Sequence, residues 1–129
     1  MDFVFENMTP YGNVVWNKSF AFSVRIVKFY KILIKRDQSL NALFNQLLRS
    51  GTSIGANISE AQSASSKKDF INKLNISLKE AREVEYWLKV FKDSDSIEEK
   101  EFTSLIKDCQ ELIKLLISII KTSKGNSQL

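Results

Sequence analysis

At 129 residues the chain has the length of one domain and can bury a core without help from a metal or a disulfide. With 43% hydrophobic residues, four glycines and one proline, its composition excludes a disordered chain and disfavours a many-turned β fold. The absence of histidine and the single cysteine, Cys109, exclude an intramolecular disulfide, a zinc cluster and histidine-based catalysis, while a net charge of +4 keeps polyanions in view as partners.

The first residues, Met1-Asp2-Phe3-Val4-Phe5-Glu6, place acids where a secretion signal needs bases, and no apolar run is long enough to span a bilayer. A cytoplasmic protein with no membrane partner is the expectation. Residues 1–16 carry Phe3, Phe5, Tyr11 and Trp16 but no helical period, and read as an extended arm. The bundle proper is expected over 17–123, and 124–129 as a flexible tail.

The first helix is expected from Lys18 to Arg36, with Phe22, Ile26, Phe29, Tyr30 and Leu33 on one side. Between Asn17 and Arg36 there are six bases and no acid. Arg25, Lys28, Lys31, Lys35 and Arg36 are therefore candidate contacts to nucleic-acid phosphates. A solvated helix face accounts for the same charges without any ligand.

The second helix is expected from Ser39 to about Gln62. Leu40, Leu43, Leu47, Gly51, Ile54, Ile58 and Ala61 alternate at spacings of three and four, a seam that runs through both glycines. The small residues around it would admit another backbone at close range. The third helix should follow Ser66, with Asp69 completing a capping box, and reach about Lys92. Phe70, Leu74, Leu78, Ala81 and Leu88 form its core face. The fourth should begin with Ser96 and Glu99 as a second capping box and carry the seam Phe102, Leu105, Cys109, Leu112, Leu116 and Ile119. Lys100, Lys107, Lys114 and Lys121 repeat every seven residues opposite that seam, as a solvated outer face would.

Four amphipathic helices with short links make an all-α, antiparallel up-down bundle. Helix 3 has a second stripe of Ile76, Trp87, Val90 and Phe91, with Glu80 and Glu83 between them, more than a monomer needs, and is a candidate oligomer interface through Ile76, Glu80, Glu83, Trp87 and Val90. Gln46, Ser50, Asn57 and Glu60 line one flank of helix 2. With Arg49, Arg82 and Glu85 they are expected to form a structural polar network, a semi-buried carboxylate requiring donors. No phosphate-binding glycine loop, dinucleotide fingerprint or metal-ligand cluster is present, and no cofactor or metal is expected. An enzyme using Glu60 and Glu85 is the weakest of the readings, behind a protein-interaction adaptor without nucleic acid.

The segment Gln46-Leu47-Leu48-Arg49-Ser50-Gly51-Thr52-Ser53-Ile54-Gly55-Ala56-Asn57-Ile58-Ser59-Glu60-Ala61 resembles the signature of the bacterial four-helix-bundle proteins, also called ribosomal RNA intervening-sequence proteins. The resemblance continues through Lys68–Leu74 and Lys79–Leu88 and includes Ser19-Phe20-Ala21-Phe22. It implies a homopentamer of up-down bundles. The family is also similar to the accessory proteins of diversity-generating retroelements, which work with nucleic acid. The resulting expectation is a non-enzymatic oligomeric protein that binds RNA or DNA, or serves as a ribonucleoprotein accessory.

Overall fold

The computed structural model describes residues 11–126. Four helices make up nearly all of them: α1 (Tyr11–Arg36), α2 (Asn41–Ala61), α3 (Lys67–Asp93) and α4 (Glu99–Asn126), with a short 3₁₀ turn at Gln38–Leu40 between the first two. There is no strand among the described residues. Consecutive helices pack against each other, and α1 closes the bundle against α4. Ion pairs Lys18–Glu111 and Arg36–Glu101 show that α1 and α4 run antiparallel.

Each turn has a local cause. The Asp37 carboxylate accepts from the Ser39 N–H at 3.0 Å and opens the 3₁₀ turn. Ser66 Oγ accepts from the Asp69 N–H at 3.0 Å, and the Asp69 carboxylate accepts in return from the Ser65 N–H at 3.2 Å. This is the expected capping box with its return bond one residue early. The second box lies elsewhere than expected. Ser96 Oγ pairs with Ser94 Oγ at 2.9 Å, whereas the Glu98 N–H donates to Glu101 Oε1 at 2.9 Å, so α4 is capped from Glu98. The preceding turn displaces the cap. Asp95 adopts φ 61°, and the Asp95 and Ser96 N–H groups donate to the Lys92 and Phe91 carbonyls, closing α3 in a Schellman motif.

Two boundaries differ from expectation. Residues 11–16 are helical rather than an extended arm. Val15 is fully buried and Ser19 Oγ donates to the Trp16 carbonyl at 3.0 Å, and this packing outweighs the helix cost of Gly12. The rest of the expected arm, residues 1–10, lies outside the described residues. At the other end, α4 continues through Lys124 and Gly125 to Asn126 instead of giving way to a tail at 124, with Ser123 buried in its last turns. Residues 127–129 lie outside the described residues.

The core is built from the expected seams with one exchange. Leu43 is 40% exposed, and Phe44 takes the inward position, edge-on to Phe91 with ring centroids 5.0 Å apart. Spacings of 40, 44, 47 satisfy the helical period as well as 40, 43, 47, and the larger ring fills the interior. Tyr30, Leu78 and Phe102 are only partly buried, at the margin of the core.

The glycine seam of α2 is where α1 approaches. A methyl group on Gly51 would lie 2.9 Å from both Cγ atoms of Ile26, and one on Gly55 would lie 3.3 Å from the Ser19 carbonyl oxygen. On the other side of α2, Ser77 Oγ donates to the Ile54 carbonyl at 2.9 Å, in the interior. Small residues thus set both inter-helix distances. Gly51→Ala gains helix propensity of about 1 kcal/mol, but Ile26 is fully buried and β-branched, so no rotamer relieves both contacts. A net loss of about 1–2 kcal/mol is expected, measured as a lower urea midpoint at unchanged m-value; equal or greater stability would contradict the close approach.

Candidate nucleic-acid interface

In an up-down bundle the first and last helices are neighbours, and here that sets the acid-free, basic α1 beside the lysine row of α4. Residues 11–36 contain six bases and no acid, and residues 99–126 contain five bases and four acids. Three of those four acids face α1 and meet three of its bases. Lys18 pairs with Glu111. Arg25 Nη1 donates to Asp108 Oδ2 at 2.6 Å and to the Ser104 carbonyl at 3.3 Å, while its Nη2 donates to Ser104 Oγ at 2.6 Å. Arg36 forms a two-pronged pair with Glu101 at 2.8 and 2.6 Å.

The electrostatics follow this ladder. The bond to Arg36 holds the Glu101 carboxyl below its ordinary range, helped by the Glu98 N–H, and the Glu101 bond raises Arg36 in turn. Lys18 likewise lowers the Glu111 carboxyl. Arg25 and Arg36, expected at phosphates, are therefore committed to fastening α1 on α4. The carboxylates that take them lie about 65–83 residues away along the chain, beyond the reach of any local pattern.

The remaining candidates, Lys28, Lys31 and Lys35, are exposed. So are Lys100, Lys107, Lys114 and Lys121 on the outward side of α4, opposite the buried Leu105, Cys109 and Leu112. Their exposure is what a solvated outer row predicts, and their place on the helix beside α1 adds them to the candidate surface. Their heptad spacing was visible; their adjacency to the α1 lysines required the closed bundle. Among the described residues, no helix is long and apolar enough to cross a membrane.

The outer stripe of α3 is partly assembled. Glu80, Glu83, Trp87 and Val90 are half-buried and Ile76 is 36% exposed. Trp87 stacks on Phe91 at 5.8 Å and meets Tyr86 edge-on at 5.1 Å. Burial and the neighbouring Glu83 charge raise the Glu80 carboxyl. Glu80 Oε2, Glu83 Oε2 and Trp87 Nε1 are buried atoms without a hydrogen bond, and the nearest cation, Arg49, stands 3.9 Å from Glu83. Tyr86, 59% exposed beside Trp87, was missed in the sequence because it falls between the two stripes.

The expected polar network divides into separate pairs. Gln46 Oε1 accepts from Arg49 at 3.4 Å, Ser50 Oγ donates to the Gln46 carbonyl at 2.8 Å and Asn57 Nδ2 donates to the Ser53 carbonyl at 2.8 Å, all within α2. Lys73 donates to Glu60 at 3.1 Å across the α2–α3 seam. Glu85 lies on the opposite flank of α3, where Gln110 of α4 donates to it at 3.4 Å, and Arg82 is exposed. Glu60 and Glu85 share no site, because a helix sends these positions to different neighbours. No cluster of three metal-ligating residues forms among the described residues. Cys109 Sγ donates to the Ala81 carbonyl at 3.2 Å, and burial pushes its thiol up to about 12.

A closed four-helix bundle with two lysine-bearing helices side by side defines the class. The model of the 23S rRNA-intervening sequence protein family matches residues 12–118, and the chain belongs to that family. A crystal structure of a protein of unknown function from the S23 ribosomal protein family of Bacteroides thetaiotaomicron superposes with a TM-score of 0.82 at 54% identity, covering 85% of this chain and 97% of that one. No curated protein matches the chain.

The Glu101–Arg36 pair has a pH signature. With its folded pKa depressed, Glu101 contributes stability that is present above its ordinary value of 4.5 and is lost as pH falls through the folded value. Glu101→Gln is expected to cost about 1 kcal/mol near pH 7. In urea titrations the gap to the parent chain should narrow as pH falls below 4.5 and close once it is below the lowered folded value; a gap constant with pH would contradict the pairing.

Proposed function

We propose that this chain is a non-enzymatic, self-assembling subunit that binds nucleic acid along the α1–α4 face. The observation that carries this reading is that α1 and α4 together hold eleven bases and four acids, with three of the acids already paired at the seam. What is left outward is predominantly positive, with Glu99 the one remaining acid of these two helices, and such a field attracts a polyanion and releases its counterions. The name of the family, intervening-sequence proteins of 23S rRNA, agrees with an RNA ligand. The exposed charges are lysines on helices, so recognition rests on phosphates and shape.

Charge reversal tests this. Lys31→Glu with Lys35→Glu should weaken binding to a structured RNA by at least tenfold at low salt and make the dependence of log K on log salt shallower. The same reversal at Lys79 and Lys89 on α3 should change neither as much. Equal effects from both pairs would defeat the assignment.

Self-association is proposed through the α3 stripe, in the homopentamer that the family resemblance implies. Its support is the row of buried, unbonded atoms at Glu80, Glu83 and Trp87, which a neighbouring subunit can satisfy. Light scattering should give about 74 kDa, five times the 14.8 kDa chain. Ile76→Glu and Trp87→Ala should each move the particle toward 14.8 kDa with helicity retained; an unchanged mass for both would remove this stripe from the interface. A second reading, a protein-interaction adaptor without nucleic acid, draws on the exposed Tyr86 beside Trp87. Recovery of a partner protein after nuclease treatment would favour it.

A further inference from the structure

We propose that the outer face of α1 carries a stacking site for an unpaired nucleobase at Phe20, so that the preferred ligand is single-stranded nucleic acid. This rests on the polyanion reading above and narrows it. Phe20 is 56% exposed and heads an exposed apolar stripe with Val24 and Val27. One side of the ring stacks nearly parallel on Trp16, with centroids 5.2 Å apart and planes 7° apart. Trp16 is itself fixed, its Nε1 donating to Ser59 Oγ on α2 at 3.1 Å. Phe20 is therefore a platform held in place before any ligand arrives, which lowers the ordering cost of binding.

The surroundings suit a base on a charged strand. The pair lines a cleft of about 270 Å³ between α1 and α2, whose other walls include Ser23, Thr52, Gly55 and Ser59. Phe20 lies between this cleft and the exposed lysines. Val24 and Val27, 40% and 37% exposed, continue the apolar stripe toward Lys28 and Lys31. From Phe20 to Lys31 is about 16 Å along the helix axis, within the span of the few nucleotides that such grooves hold. An aromatic platform next to a track of unpaired cations is the arrangement that binds single strands without sequence preference. An isologous contact of this face with a second copy is a poorer occupant, since it would set lysine against lysine.

The test uses the full chain with a labelled oligo-uridine and an oligo-thymidine of about 15 nucleotides, against a blunt duplex of equal length. Phe20→Ala should weaken single-strand binding about tenfold, in the range of about 5- to 100-fold for loss of one stacked base, and leave duplex binding within twofold. Phe20→Tyr should keep single-strand affinity, and Lys31→Glu should weaken both ligands. The two oligomers separate RNA from DNA by their relative affinity. Unchanged single-strand binding in Phe20→Ala, or an equal loss for both ligands, overturns the stacking site. A lowered sedimentation coefficient of free Phe20→Ala protein overturns it in favour of a contact between copies. Binding of duplex without single strand removes this proposal and leaves the polyanion reading standing, whereas binding of neither removes both.

Discussion

The surface of this molecule depends on how α1 is held against α4. Three carboxylates on α4, Glu101, Asp108 and Glu111, take one base each from α1. The pairing adds to the apolar core in holding the rotation and register of α1, and it neutralises three of the helix's six cations. Without it, Arg25 and Arg36 would add to the unpaired charge. With it, the unpaired cations of α1 are Lys28, Lys31 and Lys35, on the helix beside the lysine row of α4.

The ladder and the glycine seam do different work. Pairs this exposed are screened by solvent and stabilise little, so they select an arrangement more than they stabilise it. The free energy of folding comes from the apolar interior, where Phe22, Ile26, Leu105 and Leu112 are almost fully buried. On the opposite flank of α1, Gly51 and Gly55 let α2 come so close that side chains larger than hydrogen meet Ile26 and the Ser19 backbone. Helix α1 is thus packed against α2 by absence of side chains and registered on α4 by charge. Its outer face is left free of either duty, with Phe20, Val24, Val27 and three lysines on it.

Helical periodicity made most of the fold legible. The seams of α3 and α4, the passage of α2 through two glycines and the Ser66 cap all follow from spacing and residue type. The failures have physical causes. Phe44 displaced Leu43 because two registers satisfy the same period and side-chain volume decides between them. The start of α1 was hidden because Gly12 and Pro10 argue against a helix locally, while burial of Val15 argues for it through contacts that are distant in sequence. The fate of Arg25 and Arg36 was hidden for the same reason. Glu85 misled because it sits beside core positions of α3 yet turns toward α4. The candidate site was accordingly half legible: α1 was read as basic, but its neighbour appears only once the bundle closes, and its aromatic platform only once the helix reaches back to Trp16.

The central claim is that nucleic acid lies along the α1–α4 face. Lysine acetylation with and without bound RNA, read out by mass spectrometry, tests it most directly. The account predicts protection of Lys28, Lys31, Lys35, Lys107 and Lys114 on binding, with Lys79 and Lys89 on α3 labelled as before. Protection confined to α3, or spread evenly over all lysines, would contradict it.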